Sequence, residues 1–167
     1  LSTQAYRPDH VSTLPTHWWK LNEVRGTRWG ALSYAFNGSF ELGTPPTGWT
    51  LTGAGATFAR STTQVKVGSY SGALTRSGTN CYILQDLNSD GMDRWKGRTV
   101  TFGGWVWASV ASTVYLSIND NIAGNNSATH SGNSTWEWLT VTHTISATGT
   151  AVNIFPTIIT TNQTAYF

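Results

Sequence analysis

Two tryptophans, Trp105 and Trp107, are the residues of this chain best suited to hold a ligand. They stand two apart in the run Val-Thr-Phe-Gly-Gly-Trp-Val-Trp-Ala-Ser, residues 100–109. On a strand their side chains share one face, roughly 7 Å apart. Flat aromatic faces stack on the C–H patches of sugar rings, and nearby polar groups take the hydroxyls. Sites of this kind are concave, with a few converging polar groups. Tyr82, Gln85, Tyr115 and Asn119 are read as the neighbours of a Trp105/Trp107 platform. The competing reading makes one or both tryptophans core, since nine Trp in 167 residues must mostly be buried. Trp136 and Trp138 alternate in the same way.

Catalytic constellations are missing from the sequence. Glycoside hydrolysis needs two carboxylates flanking the bond. Glu41, Asp86, Asp90, Asp93, Asp120 and Glu137 are no more than a chain of this size carries by chance, and Asp90 and Asp93 read as solvated loop charges. His10, His17, His130 and His143 lack metal-ligand spacing, and His143 reads as a packed or surface strand residue rather than a ligand. Cys81 is the only cysteine, so neither a disulfide within the chain nor a cysteine zinc site can form. No nucleophile elbow, phosphate loop or dinucleotide fingerprint is present. The expectation is a protein that is not an enzyme. A net charge of +2 without a basic cluster argues against nucleic acid as a partner. No apolar run reaches the roughly 20 residues that span a bilayer, so membrane insertion is not expected.

The elements that must position these residues are strands. The run 100–109 is rich in β-branched and aromatic residues, with Val100, Phe102, Val106 and Ala108 on one face and Thr101, Trp105 and Trp107 on the other. Large apolar groups on both faces predict a central strand, covered or facing a groove. Further strands are expected over 49–52, 56–61, 70–76, 81–87, 113–119, 136–145 and 151–160, with 164–167 opening a last strand that is cut short. Residues 88–97 read as a short helical turn, and residues 120–135 as a long exposed loop. Evenly spaced short strands with Gly and Asn turns indicate an all-β antiparallel β-sandwich, or jelly roll.

Residues 1–35 do not share that pattern. Pro8 and Pro15 break regular structure, yet Trp18, Trp19, Leu21, Trp29 and Tyr34 give the segment much apolar surface. It reads as an extended N-terminal arm that packs on its own domain, residues 36–167, or on a neighbouring subunit. The arm carries a net charge of +2, whereas residues 36–167 balance six Lys/Arg against six Asp/Glu. Charged residues are only 11% of the chain, against roughly 25% in ordinary soluble domains. Such surfaces are common in secreted and particle-borne β proteins. The chain opens on Leu1 without a signal-peptide pattern, and so reads as processed or as a fragment.

A series of motifs carries a family resemblance. In order they are Asn37-Gly38-Ser39-Phe40-Glu41, Gly48-Trp49 and Gly68-Ser69-Tyr70-Ser71-Gly72-Ala73-Leu74. Tyr82-Ile83-Leu84-Gln85-Asp86, Gly97-Arg98-Thr99-Val100-Thr101-Phe102, Trp136 to Thr142 and Thr164-Ala165-Tyr166-Phe167 continue it. The series resembles the galactose-binding-like jelly-roll carbohydrate-binding modules attached to xylanases. It looks more similar still to their relatives in tailed-phage and metagenomic virion proteins. The resemblance implies a structural calcium ion, with Glu41 giving a carboxylate and the Gly68 region backbone oxygens. The family's aspartate would follow Phe167, where this chain stops, and the resemblance also implies that Trp136 is a core residue.

Two functions follow as expectations. The first is a virion structural or surface component, such as a capsid-decoration, tail or fibre protein, which self-associates through its arm and binds glycans. The second is a secreted carbohydrate-binding module of a glycan-degrading enzyme, with a polysaccharide as partner. The expected location is accordingly a virion surface or the extracellular space.

Overall fold

The computed structural model describes residues 34–89 and 91–167. Trp18, Trp19, Leu21 and Trp29 of the arm lie outside the described residues, as does Asp90; Tyr34 is described and exposed.

Residues 35–167 form a unit of ten strands in two antiparallel sheets. The strands are β1 (Thr50–Thr52), β2 (Thr57–Ser61), β3 (Ser71–Arg76), β4 (Cys81–Asp86), β5 (Thr99–Trp107), β6 (Val114–Asn119), β7 (Gly124–Asn126), β8 (Trp136–Thr144), β9 (Asn153–Ile158) and β10 (Gln163–Tyr166). The first sheet runs β1-β4-β9-β6-β7 and the second β2-β3-β10-β5-β8. The all-β antiparallel sandwich expected from the sequence is the observed fold. A single 3-10 turn, Met92–Arg94, lies between β4 and β5.

Alternation builds the core. The first sheet turns Ile83, Val114, Leu116, Ile118, Ile154 and Ile158 inward, all essentially buried. The second answers with Phe58, Leu74, Val106, Leu139, Val141 and Ala165. At one end Phe40 packs on Trp49 and edge-on against Phe58, with ring centroids 5.5 and 5.9 Å apart. Gly72 lies under both phenylalanines, and a Cβ there would stand 3.0 Å from each.

The chain ahead of β1 opens in a turn at residues 36–39, with Asn37 and Phe40 at positive φ. The Asn37 side chain closes that turn, accepting from Leu42 N–H and donating to the carbonyls of Leu42 and Thr47. The segment 120–135 is not simply an exposed loop. It contains β7, and both Asp120 and His130 in it are fully buried.

Asp120 closes this end of the sandwich. Its Oδ1 accepts from the N–H groups of Ile122 and Ala123 at 2.9 and 2.7 Å. Its Oδ2 accepts from Ser146 N–H at 2.7 Å and contacts His143 Nε2 at 3.2 Å. Burial alone would raise this carboxyl, but the backbone N–H groups of Ser146, Ala123 and Ile122, with His143, hold it far below the ordinary carboxylate range. The unfolded chain therefore takes up a proton near pH 4 that the folded chain refuses. Stability supplied by Asp120 is present at neutral pH and is lost as the pH falls through acid. Asp120→Asn should cost about 2–4 kcal/mol at pH 7, by leaving buried N–H groups poorly paired. It should also flatten the fall in melting temperature between pH 6 and 3, and thermal melts across that range check both effects.

Candidate functional site

The residues read as one sugar platform divide between the two sheets. Trp105 and Trp107 sit on β5, on the outer face of the second sheet, and share that face as expected. Tyr82, Tyr115 and Asn119 lie on β4 and β6, on the outer face of the first sheet. They cannot neighbour the tryptophans, because the core separates the two faces. Gln85 points inward and is buried. Its Oε1 accepts from Phe36 N–H at 2.7 Å, and its Nε2 donates to the carbonyls of Phe36 and Gly48 at 2.9 Å each. It ties the chain before β1 to β4 and has no atom left for a ligand.

On the first sheet, strand register gathers an aromatic group. Tyr82 and Tyr115 both pair with Thr157 of the central strand β9, one from each side. Phe155, two residues back on the same face, packs on Tyr82 with centroids 5.3 Å apart at 45°. Polar side chains surround these rings. Asn119 pairs with Asn153, and Ser117, opposite Phe155, donates to Asn126 Oδ1 at 2.8 Å. All three rings are half-buried.

On the second sheet, β5 and β8 set Trp105 opposite Trp138 and Trp107 opposite Trp136. Trp107 is half-buried, stands edge-on to Tyr166 at 5.5 Å and donates from Nε1 to the Ser134 carbonyl at 2.9 Å. Trp136 is half-buried on this outer face and is not core, because its register with Trp107 turns it away from the interior. Trp105 and Trp138 are the open members, 39% and 55% exposed, with centroids 5.5 Å apart at 70°. Beyond them the face carries hydroxyls, with Thr101 bonded to Thr142 and Thr99 to Thr144 across the strands.

This architecture is that of known glycan-binding domains. The CBM22-1 xylan-binding domain of Xyn10C from Paenibacillus barcinonensis superposes with a TM-score of 0.61 at 19% identity, over 77% of this chain and 85% of that one. TmCBM61, solved with β-1,4-galactotriose, gives 0.59 at 12% identity, over 81% and 94%. The chain folds as a carbohydrate-binding-module jelly roll. The enzymatically active domain structure of tailspike protein 4 from bacteriophage CBA120 also matches, with a TM-score of 0.59 at 15% identity, over 80% of this chain but only 20% of that one. No protein-family model and no curated protein sequence matches.

His130, Glu137 and Glu41 are bonded to loop backbone. His130 accepts at Nδ1 from Gly132 N–H and bonds the Thr135 carbonyl through Nε2. Glu137, 3.8 Å from that ring, takes the Ser131 hydroxyl and N–H, which lower its carboxyl below the ordinary range. Both pin the approach to β8. The Glu41 carboxylate does reach Gly68, but through Oε1 it accepts from Ser69 N–H at 2.7 Å and Tyr70 N–H at 3.0 Å. These partners are N–H donors, not the six to eight oxygens that calcium takes. No group of three or more His, Cys, Asp or Glu able to hold a metal stands together among the described residues. Through these bonds Glu41 serves as a cap on the β2–β3 loop.

Phe155, Asn153 and Trp138 were not among the candidates read from the sequence. Trp138 could have been found from its alternation with Trp136. Phe155 and Asn153 gave no local signal, since only the pairing of β9 between β4 and β6 brings them to the aromatic face. Trp107→Phe should lower stability by about 1 kcal/mol through the lost Nε1 bond. Trp138→Ala, at an exposed position, should stay within about 0.5 kcal/mol of the parent. Denaturant melts of the two variants check this order.

Proposed function

We propose that this chain is a non-catalytic glycan-binding module and that the outer face of the first sheet holds the sugar. The carrying observation is the cluster Tyr82, Tyr115 and Phe155, half-open on one sheet face and bordered by Asn119, Asn126 and Asn153. Aromatic edges and faces accept the apolar side of a pyranose, and the amides both donate to and accept from its hydroxyls. The border carries these amides together with the exposed Asp86 carboxylate opposite Asn153, so hydroxyls meet both donors and acceptors. The fold shared with modules described as binding xylan or β-1,4-galactotriose supports the reading. A binding role also accounts for histidines and carboxylates that are spent on loops. Titration calorimetry with xylan and galactan oligosaccharides tests it. Phe155→Ala and Tyr115→Ala should each weaken binding roughly tenfold or more, as truncation of a central aromatic contact does. Unchanged affinity in both variants would remove this face from the function.

A second reading adds a particle to the same module. The likeness to the tailspike domain and the low overall charge support a phage tail, fibre or capsid-surface protein. In it, Trp18, Trp19, Leu21, Trp29 and Tyr34 bury their apolar surface against another copy. A module attached to a secreted enzyme would instead be monomeric. Sedimentation of the full chain at micromolar concentration should show oligomers that dissociate when Trp18 and Trp19 are both replaced by serine. A monomeric parent would favour the secreted module.

A further inference from the structure

The outer face of the second sheet looks away from the proposed glycan face, and no step above uses its two open tryptophans. We propose that Trp138, Trp105 and Lys66 form a second sugar site, which takes one pyranose ring bearing a carboxylate, a uronic acid residue of a polysaccharide.

Gly103 makes the floor. A Cβ on Gly103 would come 2.9 Å from Trp138 Cζ2 and 3.3 Å from Cε2, so the indole lies over backbone that has no side chain. The ring meets this bare backbone on one side, and the residue as a whole is open to solvent. Trp105 stands beside it at 70°, with centroids 5.5 Å apart, and forms a wall. A floor and a wall at this angle fit a pyranose that stacks its C–H side on Trp138 and sets an edge against Trp105.

Lys66 supplies the charge. Its Nζ stands 4.1 Å from the centroid of the Trp105 ring. The side chain is exposed, and it makes no ion pair among the described residues. The ammonium is thus held over the Trp105 ring with no anionic partner among the described residues, and an anionic sugar complements it where a neutral sugar does not. The loop that carries Lys66 is fixed further along, where Glu41 caps Ser69 and Tyr70. Gly68, at φ +86° with the Glu41 carboxylate in the space of a Cβ, makes that cap sterically possible.

Calorimetry and tryptophan fluorescence on the full chain test the site, with oligomers of galacturonate, guluronate and glucuronate as probes and their methyl esters as neutral counterparts. At least one acid should bind and change the fluorescence, and its ester should bind more weakly. Trp138→Ala should weaken acid binding roughly tenfold. Gly103→Ala should weaken it too, by lifting the indole from its seat, and Lys66→Met should bring the acid down to the affinity of its ester. Tyr115→Ala and Phe155→Ala should leave acid binding unchanged, so this site and the neutral-sugar face fail or succeed separately. The proposal is overturned if none of the three acids binds at millimolar concentration, if acid and ester bind equally, or if binding survives Trp138→Ala.

Discussion

One buried carboxylate sets the frame on which both faces depend. Asp120 ends β6, and its two oxygens reach the β6–β7 turn, β8 and the segment after β8. β6 belongs to the first sheet and β8 to the second, so the residue links the layers at their open edge. Nearby, Asn125 of β7 donates to the Thr142 carbonyl of β8 at 2.8 Å. β8 is an edge strand, and an edge exposes a row of unpaired backbone groups. The polar contacts from 120–135 occupy part of that row and fix where β8 lies. Since a slip of one residue would turn every β8 side chain to the other face, fixing β8 also fixes Trp138 beside Trp105.

The division of the aromatic residues follows from the same geometry. In a sandwich, alternate residues of each strand belong to the core and the rest to an outer face. The first sheet presents phenol and phenyl rings among amides and one carboxylate, Asp86. The second presents indoles among threonine hydroxyls, with a lysine over one ring. Trp107, Trp136 and Tyr166 do not merely repeat Trp105 and Trp138. They are half-buried and packed, and they stiffen the sheet beside the open pair. Gly103 matters because a side chain there would occupy the space the Trp138 ring now fills.

Local pattern made the strands legible in the sequence. The runs around β3, β4, β5, β6, β8 and β9 each show β-branched or aromatic residues between turn formers, and the shared face of Trp105 and Trp107 follows from period two alone. Sheet membership was not legible. β4 and β6 join β9, whereas β5 joins β8 and β10, and these are long-range pairings that no local window contains. Grouping Tyr82, Gln85, Tyr115 and Asn119 around the tryptophans failed for that reason. Gln85 misled further, because a buried amide that satisfies three backbone groups looks in sequence like one that waits for a ligand. The segment 120–135 looked exposed because its polar residues are satisfied by its own backbone and by β8, and burial of that kind leaves no hydrophobic signal.

Fold likeness and ligand choice therefore rest on different residues. Two of the matched modules are described with xylan and with β-1,4-galactotriose, sugars of different ring stereochemistry, on one architecture. The inward residues that make that architecture are mostly aliphatic and interchangeable in kind, so they carry no information about a sugar. What distinguishes one such module from another is the outward set: which rings lie open, at what angle, and which polar atoms border them. Here the outward sets of the two sheets differ in ring type, in exposure and in charge. Chemistry so different on opposite faces is not expected of one site spread over the surface. It is what two independent contacts would need, one for a neutral chain among amides and one for an acidic ring beside an ammonium.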